Sequence, residues 1–104
     1  PGSAEAERIL NQALEGRKTT LGPNHPHTLE TFHELGVLYV AKKDYEEAER
    51  RLRQALDGRE SKLGPDHPDT IESLTQLVRL YESWNKPEKA EEWREKLPQT
   101  KDVR

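Results

Sequence analysis

The sequence repeats itself with a period of 42 residues, and this period constrains the fold more than any other feature of the chain. When residues 6–47 are aligned without gaps on residues 48–89, almost half of the positions are identical. Residues 21–23 and 63–65 both read Leu-Gly-Pro, and a third, incomplete unit begins at Ala90. A fixed period of this length is typical of stacked repeat arrays, which present extended surfaces more often than closed catalytic pockets.

The composition favours a thin repeat array over a thick globular core. The 104 residues fit one domain, with 31% apolar and 36% charged residues. A net charge of -3 gives no general attraction to nucleic acid or to an anionic membrane, and no apolar run approaches the roughly 20 residues that cross a bilayer. With no cysteine, disulfides and thiolate metal sites are excluded. We therefore expect neither a nucleic-acid nor a membrane partner.

Apolar residues at steps of three and four predict about five helices, in an all-α fold built as an antiparallel helix-hairpin solenoid. The predicted helices cover residues 4–21, 27–42, 45–63, 69–84 and 88–97. Glycine followed by proline ends the first and third helices at residues 22–23 and 64–65. Short turns near residues 43 and 85 require their flanking helices to be antiparallel neighbours.

The predicted helices divide the chain into a half repeat (4–21), a full repeat (27–63) and a C-terminal repeat (69–97), which together form one domain, 4–97. Residues 1–3 resemble a remnant of an expression tag, and residues 98–104 are expected to fray. In each hairpin we call the helix before the short turn first-type and the helix after it second-type. Because the chain begins and ends with a second-type helix, we expect the C-terminal end of a longer array. Arg94, which replaces Leu52 of the preceding unit, suits an end cap.

The middle unit resembles the tetratricopeptide repeat. The residues that carry this resemblance are Leu35, Gly36, Tyr39, Tyr45, Ala48, Leu52 and Ala55. The 42-residue period and the Leu-Gly-Pro-x-His-Pro linker resemble the kinesin-light-chain subclass. The resemblance covers residues 4–97. It implies a non-catalytic scaffold without a cofactor, which binds a peptide or protein partner in a concave groove lined by first-type helices, and we favour a cytoplasmic location.

The resemblance also predicts which residues line the groove. On the first of its helices they are Glu30, His33, Glu34, Val37 and Val40, and on the next they are Glu72, Thr75, Gln76, Arg79 and Glu82. The subclass has paired asparagines where this chain has His33-Glu34 and Thr75-Gln76, so its asparagine clamp is absent, as are the lysines of the chaperone carboxylate clamp. The groove carboxylates favour a basic or amide-rich ligand, and Arg79 could hold an acidic group.

Three histidines near the linkers, His25, His27 and His67, raise a zinc hypothesis. His25 and His67 are repeat equivalents and should lie one repeat spacing apart, so we expect them to bond locally at helix starts instead. His33-Glu34 matches the start of a zinc-protease motif, but Val37 stands where the second histidine is needed. We find no convergent nucleophile, base or metal set, and we expect no enzyme activity and no metal.

A run of arginines on the third helix could form a nucleic-acid patch. Glu46, Glu47 and Glu49 each precede Arg50, Arg51 and Arg53 by four residues, which predicts three ion pairs that cancel the positive field. Trp84 and Trp93 could be interface residues, but their helical spacing favours a structural role in which both side chains pack against the core.

A second functional hypothesis is self-association. The first helix has no first-type partner in the chain, so we expect its apolar stripe, Ile9, Leu10 and Leu14, to be exposed. A homo-oligomer would cover such a stripe.

Overall fold

A computed structural model describes residues 2–98 and shows five α-helices without a strand in that range. The helices are α1 (Gly2–Leu21), α2 (Pro26–Ala41), α3 (Tyr45–Leu63), α4 (Pro68–Ser83) and α5 (Pro87–Arg94). Each packs against the next, and α2 also contacts α4. The predicted all-α solenoid is therefore confirmed. Helix α1 begins at Gly2, inside the segment that resembled a tag remnant, while the tail 99–104 lies outside the described residues.

The ends of the helices follow from repeated local chemistry. Gly22 and Gly64 follow α1 and α3 with φ of 99° and 92°, a region that favours glycine. The side chain of His25 accepts a hydrogen bond from the backbone N–H of His27 at the start of α2. His67 does the same at the start of α4, so the predicted local bonding of these two histidines is confirmed.

Helix α5 is shorter than predicted. It ends at Arg94, three residues before the predicted end at Leu97. The N–H groups of Lys96 and Leu97 bond to carbonyls three residues earlier, on Trp93 and Arg94, so the chain tightens before Pro98. A proline disfavours helical backbone in the residue before it, which accounts for the early end.

The core lies between the helices and is closest where α2 and α3 cross. A side chain on Gly36 would overlap Leu52, and a side chain on Gly58 would overlap Leu29. Leu52 is completely buried, and Leu29 is almost so. Gly36 thus lets α2 and α3 approach closely, and Gly58 does the same nearer the end of α3.

Aromatic side chains close the core at the C-terminal hairpin. The ring of Tyr45 stacks on Trp84 at a centroid distance of 5.7 Å, and Tyr81 lies 6.2 Å from both Trp84 and Trp93. Both tryptophans are partly buried and pack against the core, as predicted.

The predicted exposure of the apolar stripe on α1 is wrong in part. Leu14 is fully buried against the core and Leu10 packs beside it, so only Ile9 of the predicted stripe is exposed, at 50%. The reason is that α2 covers one side of α1.

The ion pairs of α3 also differ from the prediction. Glu47 forms a salt bridge with Arg51 at 3.0 Å, as predicted. It also forms one with Arg50, at 2.6 Å, which was predicted to pair with Glu46. Arg53 lies over the ring of Trp93, at 5.1 Å from its centroid, because Glu49 is engaged by a tyrosine of α4. One predicted pair, that of Glu49 with Arg53, is thus replaced by tertiary contacts, and Arg50 pairs with Glu47 of its own helix in place of Glu46.

Candidate functional site

The neighbouring first-type helices α2 and α4 present repeat-equivalent stripes of polar side chains. The stripe of α2 contains Glu30, Glu34, Val37 and Ala41, and that of α4 contains Glu72, Gln76, Arg79 and Ser83. All of these side chains are exposed except Gln76, which is half-buried. Spacings of three and four residues keep each stripe on one helix face, and α2 and α4 are in contact. We treat the two stripes together as one candidate surface. We call this surface the groove.

The groove is acidic toward the start of its two helices. Glu30 and Glu34 are exposed, and neither forms a hydrogen bond or a salt bridge with another side chain of residues 2–98. Glu72 on the neighbouring helix is 56% exposed, but its carboxylate pairs with Arg59 at 3.5 Å, so only Glu30 and Glu34 are without such a pair. Toward the other end, Val37 is 38% exposed on α2, and its repeat equivalent, Arg79, is exposed on α4. The surface therefore offers free carboxylates at one end and an apolar group with a cation at the other.

Three predicted groove residues have other contacts. The carboxylate of Glu82 pairs with Arg94 of α5. Val40 is half-buried and packs against the core. Thr75, the repeat equivalent of His33, is half-buried. Glu82 remains exposed despite its pair, whereas Val40 and Thr75 expose less of their side chains than Glu30, Glu34 and Arg79 do.

His33 is part of a buried polar cluster between α2, α3 and α4. It is 7% exposed, and its Nδ1 lies 3.3 Å from the Ser73 hydroxyl and 3.5 Å from Nη1 of Arg59. Its Nε2 lies 3.7 Å from the Glu72 carboxylate. Burial lowers the pKa of His33, and Arg59 acts in the same direction, while Glu72 opposes them. A neutral imidazole in this position joins the two groove helices.

Arg59 is the centre of a contact that occurs twice in the molecule. Its Nη1 donates to the Ser73 hydroxyl at 3.0 Å and to the carbonyl of Asp69 at 3.2 Å. One repeat earlier, Arg17 donates to the Thr31 hydroxyl at 2.6 Å and to the carbonyl of His27 at 3.4 Å. In both cases the arginine of a second-type helix holds the first turns of the next first-type helix.

A second contact also recurs between successive units. The hydroxyl of Tyr39 donates to Glu7 at 2.9 Å, and that of Tyr81 donates to Glu49. Glu7 also pairs with Lys42, and its pKa is lowered by Lys42 and Tyr39. Burial, with Glu49 beside it, raises the pKa of Tyr81.

We call the contacts of α1 with α2 the first seam, and those of α4 with α2 and α3 the second seam. Sequence reasoning missed both of the repeated contacts that hold them. A signal was available, because the arginine, the glutamate and the tyrosine are identical at the 42-residue offset.

The residues described here contain no feature of a metal site. Within residues 2–98, no three histidine, aspartate or glutamate side chains come together in a way that could hold an ion. None of the helices in this range is both long and apolar enough to span a bilayer.

Helical hairpins that stack in register, with an exposed face on their first-type helices, define a repeat scaffold. Residues 3–61, more than half of the chain, match the family model of the tetratricopeptide repeat, and the chain belongs to this family. Tetratricopeptide repeats generally mediate protein–protein interaction and are typically non-catalytic scaffolds. A search of curated proteins gave no match.

Proposed function

We propose that the protein binds a peptide or protein partner in the groove between α2 and α4. The observation that carries this proposal is that Glu30 and Glu34 form no hydrogen bond or salt bridge with another side chain of residues 2–98, on a stripe that the neighbouring helix repeats. Carboxylates free of intramolecular partners are available to a ligand, and they favour lysine, arginine or backbone amide groups. Val37 supplies an apolar contact beside them.

Two finer assignments belong to the same proposal. The 42-residue period and the histidine-capped linker support a relation to the kinesin-light-chain subclass. The polar end unit supports the C-terminal end of a longer array, since Arg94 pairs with Glu82 and Glu91 where Leu52 is buried in the preceding unit. We also propose that the protein is cytoplasmic and that it has no catalytic activity.

A test of the groove can start without a known partner. A displayed library of random peptides is selected against the protein, and the affinity of the enriched peptides is measured by fluorescence anisotropy. We expect basic peptides whose affinity falls as salt rises. The double variant Glu30→Lys/Glu34→Lys should weaken their binding by about tenfold or more, a loss of about 1.4 kcal/mol.

The matched control is Glu46→Lys/Glu60→Lys, which makes the same change of charge at exposed positions on α3. Its effect should stay within about twofold, since α3 lies outside the groove. If both double variants weaken binding equally, net charge and not the groove determines affinity, and the proposal is wrong.

Self-association is a rival function, favoured by the exposure of Ile9. It has less support than the groove, because Leu14 is buried and Leu10 is partly covered. Light scattering after size exclusion distinguishes the two: a 12.0 kDa particle at high concentration excludes the oligomer.

A further inference from the structure

The C-terminal hairpin carries cations stacked on a row of aromatic rings. The ring centroid of Tyr81 is 6.2 Å from that of Trp84 and 6.2 Å from that of Trp93. Four exposed cations each lie within 5.4 Å of the centroid of a ring in this row. We call these rings and cations together the cationic patch. Its cations are Lys86 over Trp84, Lys89 over Tyr81, and Arg53 and Lys96 over Trp93.

The four cations of the patch form no salt bridge within residues 2–98, although carboxylates stand at helical pairing distance from them. Glu92 lies three residues after Lys89 and four before Lys96, and Glu49 lies four before Arg53. Glu49 instead accepts a hydrogen bond from a tyrosine, and both lysines lie over rings. A ring face attracts a cation but carries no net charge, so the positive charge of the patch is not neutralised.

Helix α5 separates its basic residues from its acidic ones. Lys86, Lys89 and Trp93 follow each other at steps of three and four residues, which places them on one face. The turn after α5 places Lys96 over the same tryptophan ring. Glu88 and Glu92 lie on a different face at a step of four. The acidic residues of α5 therefore flank the patch and do not cover it.

We propose that the cationic patch binds an acidic peptide segment of a partner protein. An ammonium or guanidinium group that lies over a ring retains N–H donors on its outer side, and these bond well to carboxylates. The path from Lys86 to Lys96 is roughly 15 Å at the rise of a helix, which an extended segment of about five residues spans. Several carboxylates can therefore be bound at once. The patch contains no groove residue, so this inference and the proposed function can fail independently.

The rings favour an acidic peptide over a nucleic acid. Single-stranded nucleic acids bind by stacking their bases on open aromatic faces. In the patch, Tyr81 is fully buried and each tryptophan ring has a cation of the chain over it. A net charge of -3 also opposes a long polyanion, whereas a short acidic segment meets only the patch.

The test uses the intrinsic fluorescence of the chain, because its two tryptophans both belong to the patch. The probe is hexaglutamate, unlabelled for tryptophan emission and fluorescein-labelled for anisotropy. Hexalysine and a hexathymidine oligonucleotide are the comparison ligands. We expect a saturable change in emission with hexaglutamate, and an affinity that falls as salt rises. Hexalysine should leave the emission unchanged, and the oligonucleotide should bind more weakly than hexaglutamate.

The decisive variant is Lys86→Gln/Lys89→Gln, which removes two cations of the patch. It should weaken hexaglutamate binding by about fivefold or more, since each exposed ion pair contributes modestly and the two add. The matched control, Lys18→Gln/Lys62→Gln, makes the same change of charge on α1 and α3 and should stay within about twofold. Circular dichroism checks that both variants keep the helix content of the parent chain.

Four results would overturn the proposal. The first is the absence of hexaglutamate binding at low salt. The second is an equal loss of affinity in the two double variants, because net charge alone would then determine binding. The third is binding that leaves the tryptophan emission unchanged, since the peptide would then lie elsewhere, as at Arg79 in the groove. The fourth is tighter binding of the oligonucleotide with the same emission change, which would make a nucleic acid the occupant.

Discussion

The two seams of the molecule use the same residues but differ in burial. Arg17 in the first seam is half-buried, whereas Arg59 in the second seam is 6% exposed. Both bond to a hydroxyl and to a carbonyl of the next first-type helix. In the second seam α2 forms an additional wall, which supplies His33, and no equivalent helix lies beside the first seam among residues 2–98. The same contact is therefore more deeply buried where the preceding first-type helix is present.

The largest contrast is expected at the glycines of α1 and α3. Gly58→Leu should destabilise the protein by about 3 kcal/mol, because the new side chain overlaps the packed Leu29. Gly16→Leu should stabilise it by about 0.5 kcal/mol, since leucine is the better helix former and the space is open. Urea unfolding followed by circular dichroism measures both. Equal effects at the two positions would show that the faces of α1 and α3 do not differ in cover.

The arginines should show the next largest contrast. Arg59→Ala should cost about 2 kcal/mol, because it removes a buried stem and leaves the Ser73 hydroxyl and the Asp69 carbonyl without this donor. Arg17→Ala should cost about 1 kcal/mol, since water can replace the guanidinium at a half-buried position. The same unfolding measurement applies. A larger loss at Arg17 would contradict the role assigned to α2.

The tyrosines provide a smaller contrast of the same kind. Tyr81→Phe should cost about 1.5 kcal/mol, because Tyr81 is fully buried and its hydroxyl donates to the Glu49 carboxylate. Tyr39→Phe should cost about 0.5 kcal/mol, because Glu7 retains its pair with Lys42. The double variant Tyr39→Phe/Lys42→Ala is the control. It should lose more than the sum of the single changes if the two partners of Glu7 compensate for each other.

The smallest effect is a pH dependence confined to the second seam. Burial lowers the pKa of His33 in the folded chain. As the pH falls, His33 therefore binds a proton more readily in the unfolded chain than in the folded one. Stability should therefore be complete above the ordinary histidine pKa of about 6.5 and should fall as the pH drops below it, by at most about 1.4 kcal/mol per pH unit.

His33→Gln tests this dependence, because glutamine does not titrate. The variant should lose less stability than the parent chain between pH 7.5 and 5.5, in unfolding titrations at matched ionic strength. The other histidines are present in both proteins and serve as an internal control. An unchanged pH slope would mean that His33 is protonated in the fold at no cost.

Most of the fold could be predicted from local residue chemistry. The repeated glycine and proline positions mark the ends of α1 and α3, and these ends were located to the residue. Helices α2 and α4 each begin and end one residue earlier than predicted, and the largest difference is at α5, where the pattern continues to Leu97 but the helix ends at Arg94. Helix ends depend on a few neighbouring residues, so a sequence carries this information directly.

The candidate site was harder to predict. Periodicity places His33 and Glu34 side by side near the groove, but only Glu34 is exposed. The burial of His33 depends on how closely α4 and Arg59 approach, and no local pattern records this distance. The partners of Glu49 were missed for the same reason, since a tyrosine 32 residues away replaces the arginine four residues away.

The repeat, the helices, the turns and the family could all be predicted from the sequence, because each depends on residues close together in the chain. Which polar groups are free depends instead on how the helices pack. This packing buries His33, engages Arg59, pairs Glu82 with Arg94 and leaves Glu30 open to solvent. The physical reason is that burial and hydrogen-bond partners depend on the distances between helices, and these follow from the packing of every side chain at the seam.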